Sequence, residues 1–74
     1  MFYTYVIKRQ GERGYYVGYT ANLRKRLKQH SARQNCELLY YEAYLTESLA
    51  RRREYKLKQF GGAWRSLRER LDIK

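Results

Sequence analysis

A glutamate within a strongly basic helical segment, residues 49–60, is the first residue whose chemistry demands a partner. Glu54 follows Ala50 by four residues and precedes Leu57 by three, so we expect it on the apolar face of that helix. Burying an unpaired carboxylate is costly. Glu54 therefore needs either a basic partner, such as an arginine or Lys58 at i+4, or a divalent cation.

The composition predicts a small folded domain with a polyanionic partner. The chain has 74 residues, a hydrophobic fraction of 43% and nine tyrosines, which suffices for a thin core. Seventeen basic and seven acidic residues give a net charge of +10, which favours nucleic acid as the partner. The single cysteine, Cys36, excludes an internal disulfide and a cysteine-based zinc site. Without a long apolar run or a leader peptide, we expect no membrane association and a cytoplasmic protein, with nucleoid association as an alternative.

The first half of the chain is predicted to form two strands and a helix. Residues 2–9 and 15–19 are rich in aromatic and β-branched side chains, and a glycine-containing turn joins them into a hairpin. Gly18 inside the second strand indicates a bulge or a place where backbone or ligand approaches closely. Either Thr20 or Asn22 caps the helix that follows, which runs to about residue 31. One face of that helix carries four residues at helical spacing: Leu23, Arg26, Leu27 and His30.

The second half is predicted to form one strand, over residues 37–45, and two helices. Thr46 caps the first of these helices, and the pair Gly61-Gly62 ends it. The last helix, from residue 63 to about 71, turns its apolar side toward the body of the protein with Trp64, Leu67 and Leu71. Amphipathic helices must cover a sheet. We therefore predict an α+β fold within the broad α/β class: one domain with a three-stranded, mainly antiparallel sheet flanked by helices, in the order β-β-α-β-α-α.

Five polar residues on these elements have the side-chain types that phosphodiester hydrolysis requires. A carboxylate holds a divalent metal, an arginine offsets charge on the phosphate oxygens, and a histidine or tyrosinate accepts a proton from water. Each type also has a structural interpretation, as a packing tyrosine, a solvated arginine, a structural histidine or an ion-paired glutamate. Without further information, a basic nucleic-acid-binding module ranks ahead of an enzyme. The five residues are Tyr5, Tyr16, Arg26, His30 and Glu54.

Four segments, in order along the chain, resemble the signature of the GIY-YIG nuclease superfamily. Residues 16–30, Tyr-Val-Gly-Tyr-Thr-Ala-Asn-Leu-Arg-Lys-Arg-Leu-Lys-Gln-His, are similar to its second half. Residues 3–7, Tyr-Thr-Tyr-Val-Ile, are similar to its first half, with Tyr5 as the tyrosine that ends the triplet. Residues 39–44 resemble the third strand of small single-domain members. Residues 50–58 resemble their Ala-x-x-Arg-Glu-x-x-Leu-Lys helix, whose glutamate binds the metal.

The resemblance implies an endonuclease that hydrolyses DNA, with RNA as the alternative substrate, and one Mg²⁺ or Mn²⁺ ion bound by Glu54. Arg26 would contact the scissile phosphate, while Tyr5 and Tyr16 would line the site. One of these tyrosines, or His30, would act on the attacking water. The outer basic side chains of the helices would bind the phosphate backbone, which gives affinity without sequence recognition. These are Arg24, Lys25, Lys28, Arg53 and Lys56.

The chain departs from the family pattern in two places. Tyr3 and Thr4 replace the glycine and isoleucine of the first triplet, and no asparagine follows Asn35, although many members carry one near the end of the domain. The chain also offers no additional recognition unit. We therefore predict structure-selective or weakly sequence-specific cleavage by a monomer or homodimer, in repair or recombination, with a larger protein partner as another source of specificity. The alternative is a non-catalytic DNA- or RNA-binding module on a nuclease scaffold.

Overall fold

The six predicted elements are present in the predicted order. The computed structural model describes residues 1–32 and 34–73. The strands form one antiparallel sheet in the order β2-β1-β3, which confirms the predicted three-stranded sheet and the α+β class. No helix among these residues has the length and apolar character needed to cross a bilayer. The elements are β1 (Phe2–Arg9), β2 (Tyr15–Thr20), α1 (Leu23–Ser31), β3 (Cys36–Tyr44), α2 (Glu47–Gln59) and α3 (Gly61–Leu71).

The central strand β1 places one tyrosine in the middle of the sheet. Tyr5 lies opposite Gly18 of β2 and opposite Tyr41 of β3. Successive side chains of a strand point to opposite faces, so Tyr5 faces one side of the sheet while Thr4 and Val6 face the other. The two faces of the sheet are covered by different helices.

The strand irregularity falls on β3 and not at the glycine in β2. The register of β1 with β3 shifts between Val6 and Ile7, which leaves Leu39 as an extra residue of β3, as in a β-bulge. Gly18 keeps regular pairing with β1. The predicted bulge at Gly18 is therefore wrong, and the groups that approach this glycine closely are the side chains of Tyr5 and Tyr16.

Helices α2 and α3 cover the face that carries Thr4 and Val6. The buried core on this side joins Val6, Val17, Leu57 and Leu67. The hydroxyl of Thr4 donates to the carbonyl oxygen of Ala50 at 2.7 Å, which fixes the start of α2 to the central strand. Burial of Leu67, with Trp64 and Leu71 packed against the same core, confirms the predicted inner side of α3.

Helix α1 lies on the opposite face and has no fully buried residue. Asn22 is its cap, because its side chain accepts from the backbone N–H of Lys25 at 3.0 Å. Thr20, the other predicted cap, instead accepts from the backbone N–H of Asn22 at 3.1 Å. The four residues expected on one face divide between two grooves: Leu23 and Leu27 line one with Tyr3 and Tyr41, and Arg26 and His30 line another.

The junction between α2 and α3 differs from the prediction. Phe60 has an extended backbone, with φ −115° and ψ 107°, and it separates the two helices. Gly61 and Gly62 are the first two residues of α3, so the prediction that they end the preceding helix and that α3 begins at residue 63 is wrong. One extended residue breaks the helical hydrogen-bond ladder, and no left-handed glycine is needed there.

Candidate active site

A cleft of about 520 Å³ opens where β1, β2, α1 and α2 meet. Strand β2 is an edge strand, so side chains from a helix on either face of the sheet can meet beside it. Four of the five predicted site residues line this cleft: Tyr5, Tyr16, Arg26 and Glu54. They come from four different elements, which the order along the chain alone would not bring together.

The fifth predicted residue, His30, forms a hydrogen bond with Tyr5. The Nε2 atom of His30 lies 2.9 Å from the hydroxyl oxygen of Tyr5. The ring of His30 also packs against Tyr16, with ring centroids 5.0 Å apart. The structure therefore brings all five predicted residues into one contiguous group.

Arg9 completes this group and was missed by the sequence analysis. Its Nη2 atom lies 2.9 Å from Nδ1 of His30, and its guanidinium lies over the ring of Tyr16 at 4.6 Å from the centroid. A signal for it was present in the sequence, since Arg9 follows Tyr5 by four residues on one strand. Strand alternation puts both on the same face.

Burial and neighbouring charges shift the titration of two members of the group. Burial raises the pKa of Tyr5 to about 12, and the nearby Tyr16 adds to this, while the positive charge of Arg26 opposes it. Burial lowers the pKa of His30 below its ordinary value of 6.5, and the charges of Arg9 and Arg26 lower it further. Both side chains are therefore neutral at neutral pH.

Glu54 reaches the cleft from α2 with its carboxylate partly exposed, at 21% of the side-chain surface. The Nζ atom of Lys58, one turn later, lies 3.4 Å from Glu54 Oε2 and 5.5 Å from the centre of the Tyr16 ring. Partly exposed pairs of this kind contribute little stability, so Glu54 can exchange this partner for another cation. Glu47 also lines the cleft, but it lies seven residues earlier, or about 10 Å along the helix axis.

The five side chains predicted to bind the phosphate backbone lie in different environments. Lys25 lines the cleft, and Arg24 lines a groove on the other side of α1. Lys28 and Lys56 are exposed on their helices. Arg53 turns toward the sheet, where its Nε atom donates to Glu42 at 3.0 Å.

These elements define a small α+β domain in which tyrosine, histidine, arginine and glutamate side chains converge beside an edge strand. A family model described as the GIY-YIG catalytic domain matches residues 1–66, and the chain belongs to the GIY-YIG family, as predicted. GIY-YIG domains are nuclease domains, and GIY-YIG nucleases act on DNA. The general class of endonuclease therefore applies to this chain.

A curated relative supports the same assignment. A UPF0213 protein of Staphylococcus haemolyticus (strain JCSC1435) is 34% identical over 67 residues, an alignment that covers 78% of this chain and 80% of the relative. No solved structure matches the chain.

Proposed function

We propose that this protein is a metal-dependent endonuclease that hydrolyses DNA phosphodiester bonds in the cleft beside β2. The supporting observation is the convergence of Tyr5, Tyr16, Arg26 and Glu54 from four elements, with His30 bonded to Tyr5. A phosphate seated there would meet basic, acidic and phenolic groups together. Phosphodiester hydrolysis needs this combination.

One Mg²⁺ or Mn²⁺ ion fits the donor set of the cleft. No group of three or more His, Cys, Asp or Glu side chains suited to a metal occurs within residues 1–32 and 34–73. Mg²⁺, however, is typically bound through one or two carboxylates and keeps several waters and substrate oxygens. The carboxylate of Glu54 meets that requirement. When bound, the ion would polarise the scissile phosphate and stabilise the leaving oxygen.

The protein side chains supply the remaining functions. Arg26 lies close enough to Tyr5 for its charge to affect the titration of that hydroxyl. A phosphate beside Tyr5 would therefore also be attracted by the charge of Arg26. Arg26 would offset the charge that develops on the phosphate oxygens during attack. Lys25 precedes Arg26 and also lines the cleft, where it would bind the adjoining phosphate of the DNA backbone.

The preferred substrate is a DNA structure such as a flap, nick or branch, or a weakly specified duplex sequence. The cleft is lined by side chains of this small domain, and its basic residues Lys25 and Arg26 are suited to phosphate contacts. Backbone contacts position a nucleic acid without reading its sequence. RNA is the alternative polymer, since the same contacts would hold it.

The decisive experiment is a cleavage assay with purified protein. Labelled single-stranded, duplex, nicked, flapped and branched DNA would be incubated with Mg²⁺, with Mn²⁺ or with chelator. Glu54→Gln keeps the size of the side chain and removes its charge, so we expect cutting to stop while folding is retained. Glu69→Gln, an exposed glutamate on α3, is the matched control and should cut like the wild-type protein.

A non-catalytic binding module is the competing function, and the ion pair between Glu54 and Lys58 is the observation that favours it. In that case both variants would bind DNA at least as well as the wild type, and none of the three proteins would cut. Binding without metal-dependent cutting on every substrate of the panel would overturn the proposed activity.

A further inference from the structure

We propose that Arg9 is a positioning residue that fixes His30 as a hydrogen-bond donor to Tyr5. The three side chains form a chain of two hydrogen bonds: Arg9 Nη2 to His30 Nδ1 at 2.9 Å, and His30 Nε2 to Tyr5 Oη at 2.9 Å. The catalytic consequence of this arrangement rests on the proposed nuclease function. The arrangement itself can be tested without any activity.

The direction of both hydrogen bonds follows from the chemistry of arginine. A guanidinium only donates and stays protonated in proteins. Nδ1 of His30 must therefore accept, so the imidazole is neutral and carries its proton on Nε2. That proton is donated to the oxygen of Tyr5, and the hydroxyl hydrogen of Tyr5 is left free to point elsewhere.

Arg9 is itself held in place from several sides. It lies on the same strand and face as Tyr5, its guanidinium covers the ring of Tyr16 at 4.6 Å, and its Nη1 atom is 4.0 Å from a carboxylate oxygen of Glu12. Its side chain is 26% exposed. An anchored guanidinium can select one tautomer of a histidine, whereas a mobile surface arginine would not.

The charged and titratable groups around His30 are two arginines, two tyrosines and Glu12, whose carboxylate lines the same groove and lies 4.0 Å from Arg9 Nη1. Arg26 approaches from α1 and Tyr16 from β2, while Arg9 and Tyr5 belong to β1. The two positive charges oppose protonation of the ring, as does its burial. His30 therefore keeps the neutral form in which Nδ1 can accept from Arg9.

This arrangement removes His30 from the candidates for the group that accepts a proton from the attacking water. Both ring nitrogens of His30 are engaged, so His30 has no lone pair left for a water molecule. The hydroxyl of Tyr5 has no hydrogen-bond partner other than His30 in the described part of the chain, and it lines the cleft. His30 thus serves to orient Tyr5 and cannot itself take a proton from the attacking water.

The test is nuclear magnetic resonance of ¹⁵N-histidine-labelled protein without metal or DNA. His30 is the single histidine of the chain, so its two ring nitrogens give unambiguous signals. Long-range proton–nitrogen correlation would identify which nitrogen is protonated and follow its titration. We expect the proton on Nε2 in the wild type. In Arg9→Met, which removes the donor and its charge, we expect a mixture of tautomers and a higher pKa of His30.

Two further variants separate this effect from a general loss of charge or of folding. Arg13→Met removes an exposed arginine of the hairpin turn and should leave the tautomer of His30 unchanged. Arg9→Lys keeps a charged donor and should retain most of the wild-type tautomer, so it also decides the question if Arg9→Met does not fold. In cleavage assays, Arg9→Met should lower kcat about tenfold or more with little change in KM, as for other groups that orient a functional histidine.

A proton on Nδ1 in the wild type would overturn the proposal. So would an unchanged tautomer ratio and an unchanged pKa of His30 in folded Arg9→Met. Failure of the nuclease proposal would look different, since the resonance experiment would still show the Arg9-dependent tautomer while no protein cut DNA.

Discussion

The hydroxyl oxygen of Tyr5 occupies the space that a side chain at Gly18 would fill. A Cβ atom at position 18 would lie 2.6 Å from that oxygen and 2.9 Å from the nearest ring atom of Tyr16. The two residues face each other across the pairing of β1 with β2, so the backbone cannot shift without breaking that pairing. Gly18 thus determines where the Tyr5 hydroxyl lies and whether it meets His30.

Replacing Gly18 with alanine should therefore damage both stability and catalysis. We expect Gly18→Ala to lower the free energy of unfolding by about 1–3 kcal/mol, the usual cost of forcing extra volume into packed surroundings. The cleavage rate should fall as well, because Tyr5 must move. Urea denaturation would measure the loss of stability, and kcat the loss of activity.

Gly14→Ala is the control for Gly18→Ala. Nothing lies within 4 Å of a Cβ atom at position 14, so the free energy of unfolding should change by less than about 0.5 kcal/mol. Equal stabilities of the two variants would contradict the assigned role of Gly18.

On the other face of the sheet, one carboxylate accepts three side-chain donors. Glu42 accepts from Tyr44, from Tyr40 at 2.6 Å and from Arg53 at 3.0 Å. Burial of Glu42 raises its pKa, but these three hydrogen bonds outweigh burial and hold the pKa below its ordinary value of 4.5. Because Arg53 precedes Glu54 on α2, this cluster also fixes the rotation of the helix that carries the predicted metal ligand.

Glu42→Gln should destabilise the protein by about 1–3 kcal/mol at neutral pH, because it removes the negative charge beside Arg53 and leaves one acceptor oxygen for three donors. The pKa of Glu42 is lower in the folded than in the unfolded protein. At acidic pH the unfolded chain therefore binds more protons than the folded protein does. The stabilising contribution is fully present above about pH 4.5 and is lost as the pH falls through the folded pKa. Urea denaturation of wild type and variant at several pH values should therefore show a difference that shrinks on acidification. Glu37→Gln, exposed on the same strand, should show no such trend; a constant difference for Glu42→Gln would refute the linkage.

The sequence predicted the elements of the fold well because their signals are local. Strand alternation, Asx or threonine caps and amphipathic spacing each act within a few residues. The junction at Phe60 escaped prediction because two glycines look like a helix end, whereas the break comes from one residue in an extended conformation. Pattern reasoning assigns glycine a typical role, and only packing decides which role it has.

The site was predictable only in part, for a related reason. Side-chain chemistry singled out five residues, to which the resemblance gave roles, and the structure gathers them in one group: Tyr5, Tyr16, Arg26, His30 and Glu54. Side chains that act through other side chains leave no motif, so neither Arg9 against His30 nor Arg53 against Glu42 was anticipated. Strand spacing places Arg9 on the face of Tyr5, but its contact with His30 and that of Arg53 with Glu42 depend on distances between elements.

The different environments of two basic residues predict different contributions to DNA binding. Lys25 lines the cleft, whereas the guanidinium of Arg53 forms an ion pair with Glu42. In a Glu54→Gln background with chelator, binding can be measured against salt concentration without cleavage. We expect Lys25→Ala to reduce the salt slope by roughly 0.7–0.9, the amount for one phosphate contact. Arg53→Ala should leave the slope unchanged while lowering stability. Each variant removes one positive charge, so equal slopes would show that net charge alone governs binding.

Lys58 should compete with a metal ion for Glu54. Its Nζ atom lies 3.4 Å from Glu54 Oε2 with the side chain 44% exposed, and a bound cation would have to displace it. Removing such a pair is worth about 0.5–1 kcal/mol, so Lys58→Met should bind Mn²⁺ roughly two- to fivefold more tightly in calorimetric titrations without DNA. Lys56→Met loses the same charge from an exposed position on the same helix and controls for the general reduction in positive charge. Equal gains in the two variants would show that Lys58 does not occupy the metal-binding carboxylate, and no gain in either would count against Glu54 as the ligand.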